Sequence, residues 1–326
     1  MTSRAEQNMS RILVTGGAGF IGSHTCERLL ARGDEVVVLD NFNDFYDPAL
    51  KRANAALLAR ARIVTGDIRD RELVARLFDE HAFEAVVHLA AMAGVRPSVQ
   101  DPLHYEDVNM RGTMTLLEEL RRRPRTRFVF ASSSSVYGAR DRMPFGEADD
   151  IPHPVSPYAA TKRAGELMTY TYHHLFGLPV ACLRFFTVYG PRQRPEMAIA
   201  KFTRAIQLGQ AIPFFGDGST RLDYTYNDDI VDGVVAALDR CAGYEIFNLG
   251  ESATTSLSEL VEALGRALGK TPILDRQPLQ PGDVPLTCAD VSKARRMLGY
   301  APRTPVAEGL RRYVEWYRRT EGGGAR

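Results

Sequence analysis

Cysteine is scarce in this chain. Four are present among 326 residues, at Cys26, Cys182, Cys241 and Cys288, with no C-x-x-C pair and no histidine at metal-ligand spacing. This scarcity argues against a zinc module and against a small secreted domain held together by disulfides. We therefore expect reduced thiols, a cytoplasmic location and no bound metal.

An excess charge of either sign is also missing, because 41 Lys and Arg nearly cancel 40 Asp and Glu. The sequence thus lacks the broad field that gathers nucleic acid or anionic lipid, and we expect neither as a partner. Apolar runs fall short of the about 20 residues that span a bilayer. The first ten residues lack the apolar core of a signal peptide, and we expect loose segments at 1–10 and 321–326.

The first half of the chain alternates short apolar runs with longer amphipathic stretches. This rhythm is typical of βαβ units in a parallel sheet. The strand candidates are 12–14, 35–39, 61–65, 85–89, 127–131 and 180–183. Each precedes a stretch of helical periodicity, so the sequence predicts an α/β fold with a doubly wound sheet of six strands.

A glycine-rich turn follows the first predicted strand. Gly17, Gly19 and Gly22 fit G-x-G-x-x-G, and Gly16 gives the wider G-x-x-G-x-x-G spacing. Both spacings remove Cβ atoms where backbone must approach a pyrophosphate at a helix N-terminus. Asp40 ends the next strand, eighteen residues after Gly22. A carboxylate at this place accepts hydrogen bonds from the hydroxyls of an adenosine ribose and repels a 2′-phosphate. The pattern predicts a Rossmann-type site that prefers NAD to NADP.

Texture changes beyond about Phe186, where proline and glycine become frequent. Helical patterns nevertheless recur at about 198–208, 228–239, 257–268 and 306–318. We therefore predict a Rossmann domain at 11–185, to which a segment near 228–250 returns. A smaller mixed α/β lobe at 186–320 is predicted to carry ligand-binding loops.

Tyr158 and Lys162 are candidates for proton transfer. They stand four residues apart in a helical stretch that begins near Ser156, so both side chains project from one face. A Lys ammonium near a phenol favours the phenolate, which makes a general base for a substrate hydroxyl. The strand at 127–131 runs into four serines, Ser132 to Ser135, at the edge where such sheets bind ligands.

Taken together, these segments resemble the extended short-chain dehydrogenases/reductases, including the UDP-sugar 4-epimerases, from about Arg11 to Trp316. The motifs that carry the resemblance are T-G-G-A-G-F-I-G at 15–22, D-N at 40–41, H-L-A-A at 88–91, S-S-S-S-V-Y-G at 132–138 and the Tyr158/Lys162 pair. The resemblance implies that Tyr158 takes the C4 hydroxyl proton as hydride leaves C4 for the nicotinamide. A 4-keto sugar then turns over and receives hydride on its other face, without net redox. The family's catalytic serine or threonine precedes this Tyr by twenty-five residues, which selects Ser133.

The same resemblance implies a set of NAD contacts. They are Gly16, Gly19, Phe20, Ile21, Gly22, Asp40, Asn41, Asn43, Asp67, Ile68, Leu89, Ala90, Ala91, Asn109, Ser132, Tyr158 and Lys162. Asp67 and Ile68 would flank the adenine, although a turn with a helix cap explains them nearly as well. Asn109 would support the nicotinamide side through a backbone or water contact. Family members commonly form homodimers through two helices, here near 108–121 and 158–174, whose apolar faces could equally be core.

Residues beside the catalytic pair bear on the sugar. Related dehydratases carry Thr-Asp-Glu where this chain has Ser133-Ser134-Ser135, and related UDP-glucuronate decarboxylases usually have Glu at Ser135, so both reactions are disfavoured. The segments 184–198 and 41–48 resemble the UDP-glucuronate 4-epimerases. We predict that Arg192 or Arg194, with Thr187, binds a sugar carboxylate; contacts to UDP phosphates or to water are the alternative.

One departure from the family concerns the diphosphate. The family commonly has Arg directly before Asp223-Tyr224, where this chain has Leu222, with Arg221 one place earlier. Arg221 through a shifted loop, or Lys201, would take that role. The predicted substrate residues are Ser133, Ser134, Thr187, Arg192, Arg194, Lys201, Arg221, and Gln280 and Asp283 for the uridine ribose.

The main expectation is an isomerase that converts UDP-glucuronate to UDP-galacturonate with bound NAD. A UDP-glucose/UDP-galactose 4-epimerase is the nearest alternative. A UDP-glucuronate decarboxylase and a catalytically silent NAD sensor are less favoured; the sensor has no need of an intact Ser133, Tyr158 and Lys162.

Overall fold

The computed structural model describes residues 9–140, 142–240, 242–278 and 286–320. The predictions at Cys241, Gln280 and Asp283 lie outside these residues. So do those for the two tails, apart from residues 9 and 10.

Strands and helices alternate along the chain. The strands are β1 Arg11–Thr15, β2 Glu35–Asp40, β3 Arg62–Thr65, β4 Ala85–His88, β5 Arg127–Ser133, β6 Val180–Phe185, β7 Thr187–Tyr189, β8 Ala211–Phe215, β9 Arg221–Leu222, β10 Tyr224–Tyr226, β11 Tyr244–Leu249, β12 Thr255–Ser256 and β13 Ile273–Gln277. The helices are α1 Phe20–Arg32, α2 Pro48–Ala56, α3 Arg71–Glu80, α4 Val95–Gln100, α5 Pro102–Glu106, α6 Gly112–Leu120, α7 Pro157–Phe176, α8 Ala198–Gln207, α9 Asn227–Arg240, α10 Leu257–Leu268, α11 Ser292–Leu298 and α12 Val306–Thr320. A π-helical turn at Asp107–Arg111 leads into α6, and a 3₁₀ turn spans Ser134–Tyr137.

The main sheet has seven strands in the order β11-β6-β5-β4-β1-β2-β3. β1 pairs in parallel with β2 on one side and with β4 on the other, and its central residues are fully buried. Continuous apolar runs such as Ile12–Val14 are the signature of strands that are covered on both faces. The predicted Rossmann-type fold is confirmed, and all six predicted strands are present.

The predicted number of strands, six, is one too few. The seventh strand, β11, has the sequence Y-E-I-F-N-L, and only its last three residues are buried. Polar residues interrupt its apolar run, so it lacks the pattern by which the other six were recognised.

Contacts divide the chain into two compact units. The first comprises the residues up to Ser132 together with Ser156–Leu183 and Val234–Ile246. Its core packs Leu13, Val86 and Phe128 from the sheet against helix residues such as Leu116 and Leu117. The second comprises Ser133–Val155, Arg184–Gly233 and the residues from Phe247 onward.

The second unit contains three two-stranded sheets, β10-β7, β12-β9 and β13-β8. Its core gathers aromatic residues of β7 and β10, such as Tyr189 and Tyr224, with apolar residues of α8, α10 and α12. The residues predicted to bind cofactor all lie in the first unit. Those predicted to bind substrate that are described lie in the second.

Candidate active site

The glycine turn between β1 and α1 leaves no room for side chains. A Cβ on Gly22 would lie 2.1 Å from the Gly16 carbonyl oxygen, and one on Gly16 would lie 2.7 Å from the Ala90 nitrogen. Gly16 also has a left-handed φ of 70°. No side chain caps α1 at Gly19, so the first-turn N–H groups, which include Phe20 and Ile21, form a ready site for an anion.

Asp40 lies at the carboxyl end of β2 and is buried. Its two carboxylate oxygens accept hydrogen bonds from the Ala18 N–H (3.0 Å) and the Phe42 N–H (2.9 Å). Each oxygen keeps a second lone pair, which suits a ribose diol. Burial raises the pKa of Asp40, opposed by these hydrogen bonds. The glycine cradle and this fixed carboxylate together fit an NAD dinucleotide.

Asn41, Asn43 and Asp67 form a hydrogen-bonded rim beside Asp40. The Asn41 amide donates to Asp67 (2.9 Å), and Asn43 N–H donates to the Asn41 side-chain oxygen (3.1 Å). Hydrogen bonds from Arg69 hold the pKa of Asp67 well below its ordinary value. Ile68 is buried, and a Cβ on Gly112 would lie 2.4 Å from it. Adenine contacts by Asp67 and Ile68 stay a prediction.

His88, at the end of β4, lies in a directional chain of hydrogen bonds. The Thr113 hydroxyl donates to the Asn109 carbonyl (2.6 Å), so it accepts from His88 Nε2–H (2.9 Å). His88 Nδ1 then accepts from the Thr15 hydroxyl (2.7 Å), which accepts from Ala90 N–H (3.3 Å). Every group is satisfied only when the imidazole is neutral. Burial, with a smaller effect of Lys162, lowers the pKa of His88 to about 3.

The Asn109 side chain links the segment that follows β4 to the helix α7, which carries Tyr158. Its side chain accepts from Met92 N–H (2.8 Å) and donates to the Met92 carbonyl (3.0 Å) and to Thr161 (3.0 Å). Thr161 in turn donates to the Tyr158 carbonyl (2.8 Å). The Asn109 amide therefore braces the segment after β4, which contains Leu89 to Ala91, and the predicted nicotinamide contact remains untested.

Tyr158 and Lys162 lie in the first two turns of α7, as predicted. The Ser156 hydroxyl caps the helix by accepting from Ala159 N–H, and Pro157 occupies the first turn. The buried Lys162 ammonium donates to the Ala131 carbonyl (2.7 Å) and lies 6.0 Å from the centre of the Tyr158 ring. Burial lowers the pKa of Lys162 to about 8. This arrangement places a cation beside the phenol of the predicted base.

The serines that end β5 have different partners. The buried Ser132 hydroxyl donates to Glu166 (2.6 Å). The half-buried Ser133 hydroxyl accepts from Ser135 N–H (3.2 Å) and from the Ser135 hydroxyl (2.9 Å). Ser134 begins the 3₁₀ turn that follows. Because its hydrogen is committed to Glu166, Ser132 has no second proton to donate to a cofactor.

In the second unit, Thr187 begins β7 and is half-buried. Arg192 follows in a left-handed conformation with φ of 63°, a geometry that costs free energy and tends to occur at functional sites. Arg194 pairs with Glu196 (3.1 Å). Arg192 and Arg194 both remain candidates for binding the sugar carboxylate.

Gln193, between the two arginines, was not predicted. It is 6% exposed, and neither its amide nitrogen nor its amide oxygen finds a hydrogen-bond partner within the described part of the chain. Buried amides are almost always paired, so this one marks a place for a ligand or water. Sequence offers no sign of it, because burial of a single Gln follows from the path of the loop.

Arg221 and Lys201 differ in their surroundings. The Arg221 guanidinium donates to the Thr254 hydroxyl and carbonyl (both 2.9 Å) and pairs with Glu259 (3.1 Å). Lys201 is exposed on α8. The Arg221 contacts engage Nε and Nη2 of a guanidinium that has five N–H donors, so its Nη1 hydrogens can still donate to a diphosphate. Both predicted cations therefore remain candidates, Arg221 held against Thr254 and Lys201 exposed to solvent.

Among the described residues, no cluster of His, Cys, Asp or Glu is arranged to hold a metal ion. In the same part of the chain, no helix is both long and apolar enough to cross a membrane. The cysteines at 26, 182 and 288 form no disulfide within the described residues.

Comparison with known proteins identifies relatives over nearly the whole chain. The family model described as GDP-mannose 4,6 dehydratase matches residues 13–313. UDP-glucuronate 4-epimerase 4 of Arabidopsis thaliana is 46% identical over 94% of this chain and 75% of its own length. The UDP-glucuronic acid 4-epimerase of Bacillus cereus, solved with UDP-glucuronic acid and NAD, is 35% identical with a TM-score of 0.89, covering 95% of this chain and 99% of that one. The UDP-glucose 4-epimerase of Thermotoga maritima, solved with UDP-glucose, is 36% identical with a TM-score of 0.88 over the same shares.

Proposed function

This chain belongs to the family of the GDP-mannose 4,6-dehydratase model, and we propose that within it the protein is a UDP-glucuronate 4-epimerase. The reaction converts UDP-glucuronate to UDP-galacturonate through a 4-keto intermediate. Since hydride leaves and returns to the same carbon, the enzyme is an isomerase with retained NAD.

The observation that carries this proposal is the proton-transfer set at the end of β5 and the start of α7. Tyr158, Lys162 and Ser133 are intact, whereas the neighbouring positions Ser134 and Ser135 hold hydroxyls instead of an acid and a base. Such a set serves oxidation at C4 and lacks the groups that eliminate water from C5 and C6. Epimerisation is the reaction that this set allows.

The glycine turn and Asp40 would hold NAD, which supplies the acceptor and donor of the hydride when bound. Tyr158 Oη takes the proton of the C4 hydroxyl, and the Lys162 ammonium stabilises the phenolate that must precede this step. The Ser133 hydroxyl shares the moving proton. On return, Tyr158 gives the proton back to the new C4 hydroxyl.

Oxidation of glucuronate at C4 creates a β-keto acid, which loses CO₂ when the bond to the carboxylate aligns with the carbonyl π system. A guanidinium that binds the carboxylate bidentately would hold it out of that alignment. We assign this role to Arg192 or Arg194, and we add the unpaired Gln193 amide as a further polar contact. Arg221 or Lys201 is assigned to the diphosphate.

We further propose a cytoplasmic homodimer. The three described cysteines are thiols and not disulfides, which fits a reducing compartment. On the first unit, apolar side chains are exposed on α7, within the predicted 158–174 segment (Leu167 52%, Tyr170 50%), and on α4 and α5, which precede the predicted 108–121 segment (Val99 64%, Leu103 79%). The described large apolar residues of 108–121 are not among the exposed ones. A cluster of exposed apolar side chains on neighbouring helices, here α4, α5 and α7, is typical of a protein interface.

Incubation of the purified protein with UDP-glucuronate, without added NAD, tests the proposal. We expect NMR to show the C4 epimer accumulating to an equilibrium mixture without a change in redox state. A UDP-pentose with release of CO₂ as the main product would instead establish a decarboxylase. The Tyr158→Phe variant should lose activity by orders of magnitude while it retains NAD. If the protein were an NAD sensor, its response to NAD would survive this substitution.

Kinetics of Arg192→Ala and Arg194→Ala with UDP-glucuronate and UDP-glucose test the carboxylate assignment. One variant should lose more kcat/KM with the glucuronate than with the glucose, by about 10- to 100-fold for a charge-assisted pair worth about 1.5–3 kcal/mol. Equal losses with both substrates would show that the arginines serve the UDP portion.

A further inference from the structure

Glu166 is a fully buried carboxylate on α7 for which the proposed mechanism has no use. Its side chain is 0% exposed. One carboxylate oxygen accepts from the Ser132 hydroxyl (2.6 Å), and the other accepts from Arg163 (2.9 Å). A buried charge costs free energy unless it is paired and hydrogen-bonded. The contacts with Ser132 and Arg163 offset this cost for Glu166.

Its place in the helix links Glu166 to Lys162. Lys162 lies one turn earlier on α7 and donates to the Ala131 carbonyl (2.7 Å). Two successive turns of α7 thus bind two successive residues of β5, Ala131 and Ser132. The contact of Glu166 with Ser132 is short, as is typical of a hydroxyl that donates to an ionised carboxylate.

The helix also approaches the strand closely at this point. Gly165 faces Phe130 of β5, and a Cβ on Gly165 would lie 2.3 Å from the Phe130 ring. The Lys162 ammonium lies 5.2 Å from the centre of the same ring. Packing therefore sets the distance between α7 and β5, while the polar contacts set how the strand end is aligned along the helix.

We propose that Glu166 is a positioning residue, which fixes the end of β5 through the Ser132 hydroxyl. The fixed strand end presents the Ala131 carbonyl that holds Lys162 beside Tyr158, and it sets the starting point of Ser133, the next residue along the chain. This inference rests on the proposed function for its kinetic consequences, but not for its spectroscopic one.

Three variants separate positioning from general stability. Ser132→Ala removes the donor, and Glu166→Gln keeps an oxygen acceptor of the same shape. Thr169→Val is the matched control, because Thr169 is equally buried on the same helix and its hydroxyl binds the Glu166 backbone carbonyl (2.8 Å) and Cys182 (3.3 Å), away from the end of β5.

We expect Ser132→Ala to lower kcat by about 10- to 100-fold, as small misplacements of reacting groups do, with KM nearly unchanged. Glu166→Gln should retain most of kcat, and Thr169→Val should lower the melting temperature without a comparable loss of kcat. If Ser132→Ala and Thr169→Val lower kcat equally, or if Glu166→Gln is as impaired as Ser132→Ala, the positioning role is wrong.

A phenolate titration of the NAD-loaded protein gives a readout that needs no turnover. The absorbance change due to Tyr158 is the difference between each protein and its Tyr158→Phe counterpart. In Ser132→Ala this ionisation should move to higher pH, because the Lys162 ammonium loses its fixed place. An unmoved titration in Ser132→Ala overturns the inference. If the titration does shift in Ser132→Ala but the wild-type protein shows no epimerase activity, only the proposed function is refuted.

Discussion

The hydrogen-bond chain through His88 predicts a specific pH dependence of stability. His88 joins the end of β4 to Thr15 and Thr113 only as a neutral imidazole, and burial lowers its pKa to about 3. In the unfolded chain the same side chain has an ordinary pKa of about 6.5. Between these two values the unfolded state binds one proton more than the folded state.

The sign and size of the effect follow from this difference. The contribution of His88 to stability is fully present above pH 6.5 and is lost as the pH falls from about 6.5 towards 3. Each pH unit in that window is worth about 1.4 kcal/mol, so moving from pH 7 to pH 5 removes about 2 kcal/mol. Replacement by a neutral residue abolishes this part of the pH dependence, whatever it does to stability at pH 7.

The assay compares urea unfolding of the wild type and of His88→Gln at pH 7 and pH 5, at one fixed NAD concentration, since bound ligand adds its own stabilisation. The loss of unfolding free energy between the two pH values should be smaller in His88→Gln by about 2 kcal/mol. His174→Gln is the control, because His174 is exposed. Equal losses in the wild type and in His88→Gln would refute the neutral, doubly hydrogen-bonded His88.

Three further predictions concern other parts of the molecule. Gly22→Ala should abolish NAD retention on desalting, because its Cβ would lie 2.1 Å from the Gly16 carbonyl oxygen; retained NAD would contradict the tight turn. With a Lys162 pKa of about 8, kcat should fall above pH 8 as the ammonium that favours the phenolate deprotonates, and a flat profile up to pH 10 would show that Lys162 stays charged. Leu167→Glu should convert a dimer to a monomer in light scattering, with Leu57→Glu at the end of α2 as the control, because Leu57 is 60% exposed and Leu167 52%.

Much of the fold could be predicted because its signals are local. The strand at Ile12–Val14, the glycine turn and the start of the helix near Ser156 each depend on residues within a few positions of one another, and all three are present. The position of Tyr158 and Lys162 on one helix follows from the same kind of local rule.

Contacts between distant residues could not be predicted from spacing. Ser132 meets Glu166 34 positions later, and Arg221 meets Thr254 33 positions later. No periodicity encodes such pairs, which form because strands and helices dock in three dimensions. For the same reason, no local pattern indicates that Gln193 is buried.

Choice of substrate is the property that overall similarity decides least. Two solved relatives, one named for UDP-glucuronic acid and one for UDP-glucose, are 35% and 36% identical to this chain with nearly equal TM-scores. Both reactions begin with the same oxidation at C4, so the proton-transfer set of Tyr158, Lys162 and Ser133 cannot distinguish the two substrates. Discrimination must come from groups that meet the substituent at C6, because only there do the two sugars differ in charge. We propose residues 187–194 for this role, because the segment carries two guanidinium groups, the Thr187 hydroxyl and the Gln193 amide, which has no hydrogen-bond partner within the described part of the chain. That chemistry matches a carboxylate better than a hydroxymethyl group, since a guanidinium gains most from an ionised partner.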